Sequence, residues 1–260
     1  MKMNELKLVY FSPTGTTRKV IMEAARSIDL KSTSHDFSVY KEKKPVLKFA
    51  ENDFALFGIP VYYGRVPALF TEYLKGITGN GTPAALIATY GCRDYEDALL
   101  ELKDIVEKNG FKVIAAAAFP AEHSLDPTIG ARRPNKADLK TIAEYGVELN
   151  RRIKKSDTFD SFDISLPGNT PYRKYGKNML FPKADVNSCT ECKACAKVCP
   201  AGAISLKDPK KTDKDKCIGC LKCVRICRQN ARSVNSLKMK MVTGRLSKVC
   251  QSDKKADIFL

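Results

Sequence analysis

The sequence predicts an α/β protein with a doubly wound, five-stranded parallel sheet, followed by a small α+β domain that is rich in cysteine. Two observations support this prediction. Apolar strand patterns alternate with amphipathic helix patterns along the first 155 residues, which is typical of a parallel sheet with helices on both faces. Eight of the ten cysteines then fall between Cys189 and Cys227, in two regularly spaced runs.

Short apolar runs predict five strands, and apolar residues that recur at helical spacing predict four helices. The predicted strands are Leu6–Phe11, Ser34–Tyr40, Phe54–Ile59, Ala84–Thr89 and Phe111–Phe119. The predicted helices are Thr17–Ile28, a helix opened by Pro67, Tyr95–Lys108 and Pro134–Ile153. Such sheets bind ligands at the carboxyl ends of their strands, so we expect the functional loops of this domain there.

The chain divides into four predicted parts. Residues 1–155 form the α/β domain, 156–181 a linker, 182–236 the cysteine-rich domain, and 237–260 a basic tail to which the pattern assigns no structure. The linker contains Pro167-Gly168-Asn169 and few periodic apolar positions. Its Tyr172, Tyr175 and Phe181 are too apolar for a free spacer, so we expect it to pack partly on its neighbours.

Composition restricts the possible functions. The chain holds 45 Lys and Arg against 29 Asp and Glu, a net charge of +16, and residues 181–260 hold 18 basic and 7 acidic residues. This excess calls for an acidic partner, a nucleic acid or a bound anion. No apolar run approaches the ~18 residues of a membrane span, and the first residues do not form a signal-peptide core. We therefore expect a cytoplasmic protein whose cysteines serve metal or redox chemistry.

The cysteines form an internal duplication. Residues 189–200 have the pattern C-x2-C-x2-C-x3-C-P, and residues 217–227 repeat the same cysteine spacing 28 positions later. A cubane cluster needs four thiolates at the corners of a tetrahedron, of which a tight loop supplies three and the other repeat supplies the fourth. We predict two [4Fe–4S] clusters. Their ligands are Cys189, Cys192, Cys195 and Cys227 for the first, and Cys217, Cys220, Cys223 and Cys199 for the second.

Zinc is the alternative interpretation of C-x2-C pairs. A zinc site needs only two such pairs, however, and the third cysteine of each run would be surplus. The runs resemble those of bacterial-type ferredoxins with two [4Fe–4S] clusters. Two positions depart from the duplication, because Arg228 stands where the first repeat has Pro200, and Arg232 stands where it has Ile204. These departures bear on the local backbone and the reduction potential of the second half.

The first predicted strand runs into a candidate phosphate loop, residues 11–17, directly before a helix. Backbone N–H groups at a helix start, together with hydroxyls and a glycine that allows close approach, can bind phosphate. The G-x4-G-K-[ST] pattern of a P-loop is absent, and no G-x-G-x-x-G occurs in the chain. The loop resembles the FMN-phosphate loop of flavodoxins. This resemblance implies FMN contacts from Ser12, Thr14, Gly15, Thr16 and Thr17.

Two further strand-end loops, residues 59–65 and 89–95, are expected to hold the flavin ring. In flavodoxins these regions sandwich the isoalloxazine ring, often with aromatic side chains, and glycine lets the backbone approach it. The candidate FMN-binding residues in these loops are Pro60, Tyr62, Tyr63, Gly64, Tyr90, Gly91, Arg93 and Tyr95. We expect Cys92 and His123 to be structural, and we assign no catalytic residue.

The chain as a whole resembles the EFR1 family, flavodoxin–ferredoxin fusions that are also described as ferredoxins of anaerobes. The resemblance covers residues 5–236 and includes Glu122-His123-Ser124, Arg133-Pro134 and the Pro167-Gly168-Asn169-x-Pro171 linker. It implies a flavodoxin-like FMN domain followed by a ferredoxin-like domain with two [4Fe–4S] clusters. It does not imply a substrate.

We predict an electron carrier that exchanges electrons with redox partner proteins through two [4Fe–4S] clusters and FMN. One alternative is a cluster-fed flavin reductase that acts on a small substrate, and another is a nucleic-acid-binding redox sensor. No helix-turn-helix or RNA motif with interleaved aromatic residues is visible in the sequence. The basic tail therefore favours acidic redox partners, or simple solubility, over nucleic acid. The sequence does not predict the donor, the acceptor or the direction of electron flow.

Overall fold

The computed structural model describes residues 2–43, 45–156, 158–160, 162–250 and 253–260. In chain order its elements are β1 (Glu5–Tyr10), α1 (Thr16–Arg26), β2 (Ser32–Asp36), β3 (Leu47–Lys48), β4 (Asp53–Pro60), α2 (Ala68–Leu74), β5 (Ile77–Thr78), β6 (Thr82–Tyr90), α3 (Ala98–Lys108), β7 (Phe111–Pro120), α4 (Lys136–Lys155), β8 (Lys183–Ala184), α5 (Ala194–Lys197), α6 (Lys222–Arg225), β9 (Arg232–Ser233), α7 (Ser236–Val249) and β10 (Asp257–Phe259).

The central sheet holds five parallel strands in the order β2-β1-β4-β6-β7. Counted along the chain, this is the order 2-1-3-4-5 of flavodoxin-like doubly wound sheets. The predicted fold class is therefore confirmed. One strand of this sheet was not predicted. β10 adds an antiparallel sixth strand at the edge, with Asp257 paired to Ala118 and Phe259 paired to Ala116.

Helices cover both faces of the sheet. α1 and α4 pack on one face through side chains such as Ile21 and Ile142, and α2 and α3 pack on the other through Phe70 and Leu102. β4 and β6 are buried along nearly their whole length. Their continuous apolar runs follow from this double cover, because a strand with helices on both faces has no polar side to alternate with.

The second strand is shorter than the sequence predicted. Ser34–Tyr40 was expected, but β2 ends at Asp36, because the residues after it turn away to make other contacts. The Ser38 hydroxyl accepts a hydrogen bond from the Ser12 N–H at 2.7 Å. The Tyr40 N–H donates to the Cys199 carbonyl at 3.3 Å. This segment thus joins the first strand-end loop to the cysteine-rich domain.

The linker is tied to α3 by a buried carboxylate. Asp97 has no exposed surface, and its two oxygens accept hydrogen bonds from the Asn169 N–H at 2.9 Å and the Arg173 N–H at 2.7 Å. The helix predicted from Tyr95 begins only at Ala98, because Glu96 has a left-handed backbone with φ at 44°. Burial opposes ionisation of Asp97, but the hydrogen bonds from Arg173 and Asn169 lower its pKa overall.

A second anchor of the linker is the side chain of Arg65. Its guanidinium binds Glu101 through two hydrogen bonds of 2.7 Å each. The guanidinium carbon also lies over the rings of Tyr172 and Tyr175, at 4.8 and 4.4 Å from their centroids. The aromatic residues of the linker therefore pack against the α/β domain, and Arg65 is a structural residue of this contact.

The basic tail, to which the sequence pattern assigned no structure, contains a helix and a strand in its described residues. α7 precedes β10, and the helix has no fully buried residue although it lies against the rest of the protein. This explains why its sequence carried no clear helical stripe, since its apolar residues do not enter the core. Within the described ranges, no helix combines the length and apolarity required to cross a membrane.

The close approach of α1 and α4 depends on Gly146. An ideal Cβ built at Gly146 would fall on the carbonyl oxygen of Ala24, which is backbone and cannot rotate away. Gly244 in α7 offers a contrast, because a Cβ there would have no neighbour within 4 Å. The two helical glycines therefore differ in packing rather than in helix propensity.

We predict that Gly146→Ala destabilises the protein by about 1–3 kcal/mol, because the added methyl group forces the two helices apart. Gly244→Ala is the matched control and should be neutral or stabilising by up to ~1 kcal/mol, the ordinary propensity gain of alanine over glycine. Chemical unfolding of both variants measures the difference. Equal stability of Gly146→Ala and the wild type would show that the helices do not meet at this position.

Candidate cofactor sites

The two cysteine runs fold alike. In each run, a residue with left-handed backbone lies between the second and third cysteines, Lys193 at φ 62° and Leu221 at φ 56°. A four-residue helix, α5 or α6, follows directly and carries the third cysteine. The backbone turn lets one short loop present successive cysteines inward, as the spacing predicted.

The first residues of each repeat form hydrogen bonds with the last residues of the other repeat. The Asp185 N–H donates to the Ala231 carbonyl, and the equivalent Asp213 N–H donates to the Ala203 carbonyl, both at 2.8 Å. The short strands β8 and β9 pair the two ends again, with Ala184 opposite Arg232. The duplication is therefore interlocked, which is the arrangement that brings the last cysteine of each run to the other run.

The second predicted ligand set comes together in the structure. Cys199, Cys217, Cys220 and Cys223 line one small cavity, whose other walls include Ile204 and Leu221. Burial raises the pKa of the Cys220 thiol to about 12 and also raises the pKa values of Cys217 and Cys223. The free thiols are thus neutral near pH 7, and binding of a metal has to release their protons.

The first predicted set faces outward. Cys195 is buried, Cys189 and Cys227 are half-buried, and Cys192 is exposed. Across the described ranges, no three His, Cys, Asp or Glu side chains converge as ligands of a single metal ion. A cubane cluster does not require such convergence, because each thiolate binds its own iron at a separate corner.

A cavity of about 370 Å³ lies at the carboxyl ends of the parallel strands. This volume is in the range of sites that bind one cofactor-sized ligand. All three strand-end loops contribute to it. The predicted FMN residues that line it are Thr14, Thr16, Thr17, Pro60, Tyr62, Tyr63, Gly64, Tyr90, Gly91 and Arg93. Ser12, Gly15 and Tyr95 are the predicted residues that do not line it.

The first loop leaves a helix terminus open towards the cavity. α1 begins at Thr16 after Gly15, which has no side chain to cap the helix, and its first turn has no acidic residue. Thr14, Thr16 and Thr17 line the cavity. Ser12 has a supporting role, because its hydroxyl accepts a hydrogen bond from the Arg18 N–H at 2.9 Å. Gly15 forms the turn with φ at 91°, a conformation that side chains disfavour. Ser12 thus caps one N–H of the first turn, and the helix start beside the threonines suits a phosphate group.

The tyrosines of the other two loops separate into two groups. Tyr62 and Tyr63 lie near the second cysteine set, and burial raises the pKa of both phenols, with Cys220 and Cys217 adding to the effect. Tyr90 and Tyr95 pack together with ring centroids 5.5 Å apart, and burial raises the pKa of both. The second pair contacts the segment that precedes β10, since the Tyr90 hydroxyl donates to the Lys255 carbonyl at 3.4 Å.

The loop after β7 forms a wall that the sequence analysis did not assign to the site. His123 lines the cavity, and its Nδ1 accepts a hydrogen bond from the Leu125 N–H at 3.1 Å. Burial lowers the pKa of His123 to about 4, so the ring is neutral near pH 7 and carries its proton on Nε2. A Cβ built at Gly91 would fall on this ring, so Gly91 is required for the close packing of the two loops.

The linker and the carboxyl-terminal helix complete the cavity. Linker residues 173, 174 and 176–180 line one side, and Val242 and Leu246 of α7 line another. The thiol of Cys250, just after α7, lies 3.5 Å from the Gly91 carbonyl. The sequence could predict the three strand-end loops as walls of the site. It could not predict the remaining walls, because they come from segments far away along the chain.

The cysteine-rich domain also contributes to this cavity. Ile218 and Gly219, which stand between Cys217 and Cys220, line it directly. The Asn178 amide of the linker holds this loop by donating to the Cys217 carbonyl at 2.9 Å. Gly219 has φ at 69°, and a Cβ there would come within 2.6 Å of the Asn178 oxygen. The cavity and the second cysteine set therefore share a wall two residues wide.

Further contacts fix the two domains against each other. The Lys222 ammonium donates to the Ser38 carbonyl at 3.0 Å, and Arg225 donates to the Ser124 carbonyl at 3.1 Å. Arg225 also pairs with Glu122 at 3.7 Å. All of these contacts come from α6 of the second repeat, and the hydrogen bond from the Tyr40 N–H to the Cys199 carbonyl adds a contact from the first.

Comparison with known proteins identifies the cysteine-rich part. A family model described as a 4Fe-4S dicluster domain matches residues 188–232, which contain both cysteine runs. Comparison with curated protein sequences gives no significant match.

Several solved structures are similar to the chain. A flavodoxin from the domain Archaea is 16% identical, with a TM-score of 0.41, over 58% of this chain and 99% of that one. A Fusobacterium nucleatum flavodoxin bound to flavin mononucleotide is 19% identical, with a TM-score of 0.42, over 58% and 99% of the two chains. An oxidoreductase from Corynebacterium diphtheriae is 17% identical, with a TM-score of 0.41, over 60% and 100%.

The chain therefore combines a flavodoxin-like α/β domain with a ferredoxin-like 4Fe–4S domain. Iron–sulfur clusters held by cysteine thiolates carry out one-electron redox chemistry. The arrangement supports a role in redox electron transfer.

Proposed function

We propose that this chain is an electron carrier of the EFR1 type, with FMN in the α/β domain and two [4Fe–4S] clusters in the ferredoxin-like domain. Residues 1–155 and 182–236 are the two cofactor domains, joined by the linker 156–181, and residues 237–260 close the flavin site. A [4Fe–4S] cluster exchanges single electrons, whereas a flavin exchanges one or two. The fusion can therefore connect a partner that exchanges single electrons with a partner that exchanges two.

The shared wall is the observation that carries this proposal. Ile218 and Gly219 line the cavity at the strand ends, and the cysteines on either side of them, Cys217 and Cys220, belong to the second ligand set. Only a short stretch of protein therefore separates the proposed flavin site from the proposed second cluster. Asn178 and α6 hold that stretch in place through the hydrogen bonds to Cys217 and Ser38.

The residues of the cavity fit the proposed FMN. The open start of α1 offers backbone donors to the phosphate, and the threonines beside it add hydroxyls. Neutral His123 presents an Nε2–H donor at the cavity wall, and Tyr62 and Tyr63 present aromatic surface. The linker and α7 contribute the remaining walls of the site.

The residues of the second set fit a cluster. Four thiols line one cavity with apolar neighbours, and the Cys199 sulfur accepts a hydrogen bond from the Ala203 N–H at 3.3 Å. Soft thiolate ligands favour iron–sulfur clusters, and N–H donors to sulfur help to set their potentials. The interlocked repeats also support the first cluster, at Cys189, Cys192, Cys195 and Cys227, because each run then supplies the fourth ligand of the other.

The charge of the chain bears on its partners. The chain carries a net charge of +16, and it stays positive, at about +10, when two oxidised clusters and FMN add about −6. Electrostatic steering by a positive protein favours acidic proteins. The proposed partners are therefore acidic redox proteins.

We predict that Cys220→Ser, which removes a ligand of the second set, abolishes fast electron transfer from photoreduced FMN to the remaining cluster. Cys189→Ser is the matched control, because it removes a ligand of the first set, which is remote from the shared wall, and should leave the fast phase intact. Flash photoreduction under anaerobic conditions, with iron counted in each variant, measures this. A fast phase that survives in Cys220→Ser but not in Cys189→Ser would contradict the proposal that the second cluster is the one beside the flavin.

We further predict that Gly91→Ala weakens FMN binding at least tenfold, because the new methyl group displaces the ring of His123 and with it the cavity wall. The double variant Gly91→Ala/His123→Ala should recover part of the affinity, since removal of the ring makes room for the methyl group. Titration of flavin-free protein with FMN measures both. Unchanged affinity in Gly91→Ala would place the flavin away from this loop.

A further inference from the structure

Arg232 is a buried cation at a position where the first repeat has an apolar residue. It is 3% exposed, and its counterpart in the duplication, Ile204, is 5% exposed. Arginine keeps its charge at any ordinary pH, and burial of an unpaired charge costs several kcal/mol. The second repeat therefore places a positive charge inside the ferredoxin-like domain at a position where the first repeat has an apolar side chain.

The guanidinium has neutral partners. One terminal nitrogen donates to the Pro209 carbonyl at 2.6 Å, and the other donates to the Pro182 carbonyl at 3.0 Å and to the Thr212 hydroxyl. Its Nε has no hydrogen-bond partner. Within the described part of the chain, no carboxylate forms an ion pair with Arg232.

Cysteine sulfurs are the groups near Arg232 that can carry the opposite charge. The nitrogen bound to Pro209 lies 3.8 Å from the Cys195 Sγ. Burial raises the pKa of the Cys223 thiol, and the charge of Arg232 opposes that rise. Cys195 belongs to the first ligand set and Cys223 to the second, so the charge of Arg232 acts on sulfurs of both sets.

We propose that Arg232 is the internal counter-charge of both clusters and raises their reduction potentials. This inference rests on the proposed function, because it requires clusters at both sets. A cluster gains negative charge when it is reduced, and a nearby buried cation stabilises that form more than the oxidised form. Arg232 is a positioning residue in this role, because it acts on the cysteine sulfurs and does not bind iron.

The test compares cluster potentials in the full-length, anaerobically purified protein. Arg232→Gln removes the charge and keeps amide donors, and Arg232→Lys keeps the charge. Arg228→Gln is the matched control, since Arg228 is exposed beside the ligand Cys227 and solvent screens its charge. Reduction potentials are read by redox titration monitored by electron paramagnetic resonance, with iron and sulfide counted in each variant.

We expect Arg232→Gln to shift both potentials to more negative values, with a smaller shift in Arg232→Lys and the smallest in Arg228→Gln. Unchanged potentials in a fully loaded Arg232→Gln would overturn the inference and leave the proposed carrier function intact. If Arg232→Gln loses iron while Arg232→Lys retains it, the charge is required by the thiolates, which supports the inference. Equal iron loss in both variants would assign Arg232 to hydrogen bonding alone and overturn it.

Discussion

The docking of the second cysteine repeat onto the strand-end loops is the contact on which the rest of the arrangement depends. Lys222 and Arg225 of α6 bind backbone carbonyls of the α/β domain, and Asn178 holds the loop that carries Cys217. These hydrogen bonds join three segments that are far apart in sequence. Because they fix Ile218 and Gly219 as a wall of the cavity, they turn two separate binding sites into neighbours.

This docking also distinguishes the two cysteine sets. The second set is turned towards the α/β domain, whereas the first set reaches the surface at Cys192, with the exposed Lys193 beside it. In the proposed function, the flavin and the second cluster are therefore internal, and acidic partner proteins approach the first cluster. Arg232 lies 3.8 Å from the Cys195 sulfur and also acts on the charge of Cys223, so in the same proposal one buried charge serves both halves of the duplicated domain.

The sequence was sufficient to predict the features that depend on local patterns. The five parallel strands follow from apolar periodicity, and the grouping of Cys199 with Cys217, Cys220 and Cys223 around one cavity follows from the spacing of the duplicated runs. The sixth strand was missed because β10 has three residues and pairs with β7 through its backbone, which leaves no side-chain pattern. The walls formed by His123, Asn178 and Leu246 were missed for a related reason, since they depend on long-range packing that no spacing rule describes. Tyr95 follows its strand as predicted, yet it packs against Tyr90 and the carboxyl-terminal strand instead of lining the cavity.

The most direct test of the central claim is the cofactor content of the protein purified without oxygen. Iron, acid-labile sulfide, zinc and flavin are measured per chain. The account predicts about eight iron, about eight sulfide and one FMN, as two [4Fe–4S] clusters and one flavin require. Eight iron without flavin would reduce the α/β domain to a docking scaffold for the clusters. Zinc without sulfide, persisting after anaerobic reconstitution, would contradict the electron-carrier account.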